Sequence, residues 1–166
     1  MERCIDLINS GAGALVADDW PNLEELSKQL IAECRGLLHA DSISVVLEVE
    51  AGACNQMTKY AQALEASEAC IKTYYANPGC HSEEAKALIG LKRPNEALAA
   101  INRARKIAVQ GIEDESREIK QAVYDSEREL HKSRRAKYES IVAVVDDLKA
   151  RIPTTIPTSS SASAAR

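Results

Sequence analysis

Lys59-Tyr60-Ala61-Gln62-Ala63-Leu64-Glu65-Ala66 and Arg93-Pro94-Asn95-Glu96-Ala97-Leu98-Ala99-Ala100 are two copies of one helical pattern. Tyr60 and Pro94, Ala63 and Ala97, Leu64 and Leu98, and Ala66 and Ala100 are all separated by the same thirty-four positions. A constant period of this length describes a unit that cannot bury its apolar face alone and stacks against copies of itself. Small residues mark where the unit folds over. Ala51 and Ala85 share the same offset, each twelve positions ahead of Ala63 or Ala97, so small side chains oppose one another where two antiparallel helices come closest.

A degenerate copy lies upstream. Gly11, Trp20 and Leu23 hold the places of Ala51, Tyr60 and Ala63, each forty positions earlier, and the six extra positions fit a longer loop around Gly36–Asp41. In period and in the placement of small residues the chain resembles tetratricopeptide (TPR) repeats. The resemblance implies an all-α, right-handed α-solenoid of three TPR-like hairpins, at about 3–36, 41–76 and 80–110. Local signals agree with helices at those places. Pro21 and Pro94 suit first turns, where an amide lacks an internal partner anyway, and Glu24 and Glu25 favour the positive end of a helix dipole. Asp41 or Ser42 can cap the second hairpin. Val45, Val46, Leu47 and Val49 would read as a strand in isolation, but the repeat phase places them on a helix. Asn77-Pro78-Gly79 is the turn between the second and third units, with the third opening at Ser82.

After Gly111 the short pairs give way to one long helix over 111–152, followed by a Ser/Thr/Ala tail at 153–166 that buries too little to stay ordered. Its middle, His131 to Lys137, has almost nothing apolar and is expected to leave the body of the repeats. Here the sequence resembles TPR-containing J-domain (DnaJ-type) co-chaperones, notably the ER-lumenal class first described as an inhibitor of protein kinases. In that family the last hairpin passes into a basic helix and then a D-Y-Y-x-I-L-x-V opening. Tyr138, Ile141 and Val144 hold the matching places. The similarity fails past Val144, and no His-Pro-Asp triplet follows: His39, His81 and His131 precede Ala, Ser and Lys. The resemblance therefore implies a client or scaffold module without the part that stimulates an Hsp70-type ATPase.

Composition narrows the function classes. With 166 residues, no Phe, six aromatic residues and 28% charged residues, the chain suits one helical domain packed through small and aliphatic side chains. A formal charge of −4 argues against a general nucleic-acid binder. No apolar run reaches the roughly 18 residues of a membrane span, and Met1-Glu2-Arg3-Cys4 lacks a signal peptide's basic start and apolar core. The sequence as it stands is thus expected to be cytoplasmic, whereas membership of the lumenal family would place it in the ER lumen. Five cysteines without a C-x-x-C pair suggest no metal site, and buried thiols are the default. No convergent nucleophile, base or cofactor motif points to an enzyme; Cys80-His81 are adjacent residues at a turn and point apart.

Repeat phase puts the functional surface on the first helix of each hairpin. Its groove positions are Ile5, Ile8, Ala12 and Leu15, then Val45, Glu48, Gly52 and Asn55, then Ser82, Lys86 and Ile89. TPR domains that capture acidic C-termini resemble one another in a Lys/Asn/Arg carboxylate clamp, of which only Asn55 and Lys86 stand here. The aliphatic residues would instead suit unfolded clients, or be covered by neighbouring helices. Expected partners are proteins, either unfolded clients or chaperone machinery; a structural subunit of a larger assembly is the alternative. The basic patch Lys132, Arg134, Arg135 and Lys137 could touch nucleic acid, although a solvated helix face is the plainer reading. Finally, Cys54 and Cys70 fall on the two helices of one hairpin, and the resemblance to a lumenal family raises a disulfide between them.

Overall fold

The computed structural model describes residues 2–153. They form seven α-helices: α1 (Glu2–Val16), α2 (Trp20–Cys34), α3 (Ala40–Gln56), α4 (Tyr60–Thr73), α5 (Pro78–Gly90), α6 (Pro94–Gln121) and α7 (Asp125–Arg151), with a 3-10 turn at Arg35–Leu37. The fold is an all-α helical-repeat solenoid. Helices α1/α2, α3/α4 and α5/α6 are the three hairpins, each packed on the next through α2·α3 and α4·α5 contacts. The tail from Thr154 to Arg166 lies outside the described residues.

One cap recurs at each hairpin turn. Asp19, Lys59 and Arg93 donate their backbone N–H to Ala14, Cys54 and Leu88, each at 2.9 Å. The residue before each donor, Asp18, Thr58 or Lys92, takes a φ of 53–59°. This is the Schellman end of a helix, in which a left-handed residue lets the chain turn back and satisfies the last carbonyls. None of the three is glycine, so each turn carries the steric cost of a side chain in that conformation. Ala51, Ala63, Ala85 and Ala97 are all fully buried, as their opposed positions require.

The starts of the helices follow local chemistry. Asp19 accepts from the Asn22 amide at the head of α2. Asn77 accepts from Gly79 and caps α5, so Pro78 is the first residue of that helix and α5 opens four residues before Ser82. The Asn-Pro-Gly turn is therefore a cap as well as a boundary. Gly79 lies beneath the Glu48 carboxylate, which occupies the space a Cβ would need.

The expected helix over 111–152 is two helices. α6 runs unbroken through Gly111 to Gln121, the chain extends at Ala122–Tyr124, and α7 returns antiparallel along α6. The pairs Glu115–His131, Gly111–Tyr138 and Arg105–Asp146 trace that course. Gly111 is a seat rather than a stop, because a Cβ there would lie 2.7 Å from the Tyr138 ring. The stretch His131–Lys137 consequently does not leave the body. His131 Nδ1 lies 2.6 Å from Glu115, while the cations between it and Tyr138 stay exposed to solvent. Farther along, Val145, Leu148 and Ile152 join Ala85, Leu88, Ala97, Ala100, Ile101 and Ala104 in the largest core cluster. Tyr138, Ile141 and Val144, the residues that resemble a J-domain opening, are half-buried against this same body.

The cysteines also pair differently from the expectation. Cys4 is bonded to Cys34 and Cys70 to Cys80, while Cys54 is free and buried. Cys54 packs with Ala63, whereas Cys70 sits with Ile43 and Leu47. Leu47 and Cys54 are two turns apart on one helix, a rise of about 10 Å, too far for the bridge between Cys54 and Cys70. Burial, aided by Glu24 and Glu50 and opposed by Lys28 and Lys59, pushes the Cys54 thiol up to about 11.

Candidate protein-binding groove

Helices α1, α3, α5 and α7 line a cleft of about 580 Å³, with Leu15, Trp20, Val49, Ile89, Val144 and Leu148 among its apolar walls. Beside it, between α1, α2 and α3, opens an apolar slot of about 170 Å³ that includes Leu7, Ile8, Leu15, Val45 and Val49. Leu7 and Ala14 face α2 and are buried. One face over on the same helix, Ile5, Ile8 and Leu15 stay 47–52% exposed, and Val45 on α3 is 44% exposed. Water therefore reaches all four of these aliphatic groove positions.

The polar groove positions are held in place. Asn55 donates to the Glu83 carbonyl at 3.0 Å and to its carboxylate at 2.9 Å. Lys86 donates to the same carboxylate at 2.6 Å. Asn55 and Lys86 are thus brought together, but around an acid of the chain itself. Asn55 Oδ1 is buried with no donor. Glu48 accepts from Asn77 at 2.9 Å, and Lys137 of α7 approaches it to 3.9 Å across the groove. Ile89 lines the cleft beside Gly90, against which the Tyr60 ring lies so closely that no Cβ would fit.

Sequence reasoning did not name Glu83, Asp147 or Arg151 among the cleft residues. Glu83 carried a signal in its i, i+3 spacing to Lys86. Asp147 and Arg151, mutually paired at 2.6 Å, were hidden because their helix was expected to point elsewhere. In the basic patch, Lys132 pairs with Glu129 at 2.7 Å, Arg135 with Glu139 at 2.9 Å, and Lys137 faces Glu48. Arg134 lines a smaller cleft with Tyr74 and Tyr138. Most of its cations thus have carboxylate neighbours, unlike those of a phosphate-binding face.

A second charged cluster sits away from the groove. Arg103 holds both oxygens of Glu84 at 2.9–3.0 Å, and the fully buried His81 lies 3.5 Å from the same carboxylate. Burial alone would raise Glu84; His81 and Arg103 outweigh it and hold the carboxyl below the usual range.

The backbone course matches that of two solved structures. The TPR2B domain of yeast Sti1, solved in complex with pHsp70, superposes with a TM-score of 0.58 at 16% identity, covering 89% of this chain and 98% of that one. This is a TPR fold. PcrH, in complex with the chaperone-binding region of PopD, gives a TM-score of 0.60 at 14% identity, covering 89% of this chain and 94% of its own. No protein-family model and no curated protein matches the sequence. Helix α7 packs on α6 and α5 and adds a wall to the groove.

Proposed function

We propose that this chain is a non-catalytic, co-chaperone-like scaffold that captures a segment of another protein in the groove between α1, α3, α5 and α7. The observation that carries this reading is the exposure of Ile8, Leu15 and Val45 around an apolar slot, with Ile5 exposed one turn before Ile8 on the same helix. Exposed apolar side chains that converge on one concave surface are the usual mark of a protein-binding site. Both fold neighbours were solved with polypeptide partners, which supports a protein ligand. The resemblance to J-domain co-chaperones enters through the class of client it implies, unfolded or partner polypeptide. Two disulfides support an oxidising compartment, such as the ER lumen, over the cytoplasm.

The test is the double variant Ile8→Asp with Val45→Asp. Both side chains are half-exposed, so far-UV helicity is expected to stay close to that of wild type while suppression of a denatured model protein's aggregation disappears. Full suppression by a folded double variant would remove the groove from the function.

A further inference from the structure

We propose that the occupant of this groove is a cationic amphipathic segment, with apolar side chains for the α1–α3 slot and Lys or Arg beside them. The proposal rests on the groove reading and adds the chemistry of the partner.

Two observations set the sign of the charge. Helices α1 and α3 hold five acidic side chains, Glu2, Asp6, Asp41, Glu48 and Glu50, against one basic, Arg3. Among the described residues, Asp6 and Asp41 there have no ion-pair partner, whereas Arg3 is engaged by Glu33. Second, the 580 Å³ cleft is lined by three carboxylates, Glu48, Glu83 and Asp147, against two cations, and both cations are already taken at 2.6 Å. An acidic partner would have to break the Glu83–Lys86 or Asp147–Arg151 pair, or draw Lys137 away from Glu48.

Shape gives the apolar half. Ile8, Ala12 and Leu15 follow helical spacing along one edge of the slot, with the exposed Ile5 one turn before them on α1, and Val45 and Val49 form the other edge. A partner helix with anchors at i, i+3 and i+7 presents a matching stripe. Cations beside those anchors would meet the negative walls, speeding association and setting orientation.

Fluorescence anisotropy with three labelled 16-residue peptides tests this on the full chain. All three carry Leu at positions 2, 5, 9 and 12 and differ only in four flanking residues: Lys, Gln or Glu. The Lys peptide is expected to bind at least tenfold tighter than the Glu peptide at low salt, with the gap closing as salt rises. Glu83→Gln, which keeps an acceptor for Asn55 and Lys86, is expected to weaken the Lys peptide severalfold and to shrink its advantage over the Gln peptide. The Ile8→Asp, Val45→Asp variant is expected to bind none of them. Equal or tighter binding of the Glu peptide would overturn the charge assignment and leave the groove reading standing. Failure of all three peptides, or binding that survives the double variant, would overturn both.

Discussion

Glu24 shows how a single residue departs from its repeat and is accommodated. In repeat phase it holds the place of Leu64 and Leu98, and it is 6% exposed. Its two oxygens accept from Lys28 at 2.5 Å and Lys59 at 2.7 Å, which links α2 to the turn of the second hairpin. Those hydrogen bonds, Lys28 first, outweigh burial and hold the Glu24 carboxyl below the usual glutamate range. A folded-state pKa below the unfolded one gives stability that is present above the unfolded value and lost as pH falls through the folded one. Melting temperatures measured from pH 7 down to pH 3 should therefore drop less steeply for Glu24→Gln than for wild type. At pH 7 the variant is expected to lose about 1.5 kcal/mol, the low end for a charged hydrogen bond, because both lysines can rehydrate. Equal acid limbs for the two proteins would mean that Glu24 adds nothing to pH-dependent stability.

At the scale of elements, the α6–α7 pairing depends on a glycine that costs helix stability. Glycine inside a helix is worse than alanine by about 1 kcal/mol, yet Gly111 stands within the 28 residues of α6. What offsets it is the Tyr138 ring, which lies where the Cβ would be. Burial, helped by Glu115 nearby, raises the Tyr138 phenol. Gly111→Ala is expected to destabilise wild type by about 1 kcal/mol, since forcing a methyl against a seated ring exceeds the propensity gain. In a Tyr138→Ala background the same change should stabilise by about 1 kcal/mol, because only the propensity remains. Urea titrations of the four proteins complete the cycle. A Gly111→Ala effect of one sign in both backgrounds would disprove the seat.

On the scale of the whole molecule, two disulfides and one returning helix hold the array together. Cys4–Cys34 closes the first hairpin with a sequence separation of 30, and Cys70–Cys80 ties the second unit to the third with a separation of 10. Chain-entropy reasoning credits these loops with about 3.6 and about 2.7 kcal/mol. Reduction with a phosphine is thus expected to lower the melting temperature by more than about 10 °C for a chain of this size. Non-reducing peptide mapping should recover the Cys4–Cys34 and Cys70–Cys80 peptides, with Cys54 alkylated only after denaturation. A Cys54–Cys70 peptide, or five alkylated thiols in native protein, would contradict the pairing.

The repeat by itself determined the hairpins of this protein. Its constant period, with alanines at the helix crossings, leaves one register in which the small side chains oppose each other, so the pairing of helices into three hairpins follows from local pattern. Repeat phase also singled out Ile8, Leu15 and Val45, three aliphatic residues that line the apolar slot. Tertiary structure alone decided the rest. Gly111 reads as a break until Tyr138, on the next helix, is known to need the space. Ala122-Val123-Tyr124 reads as helix because it contains neither Gly nor Pro, and the reversal there is stabilised by contacts of Val145 and Leu148 with α5 and α6. The cysteine partners depended on the rise of α3, which separates Cys54 by two turns from Leu47, beside which Cys70 packs. Short-range signals extend about one helical turn, and these three features are set by packing between residues much farther apart in sequence.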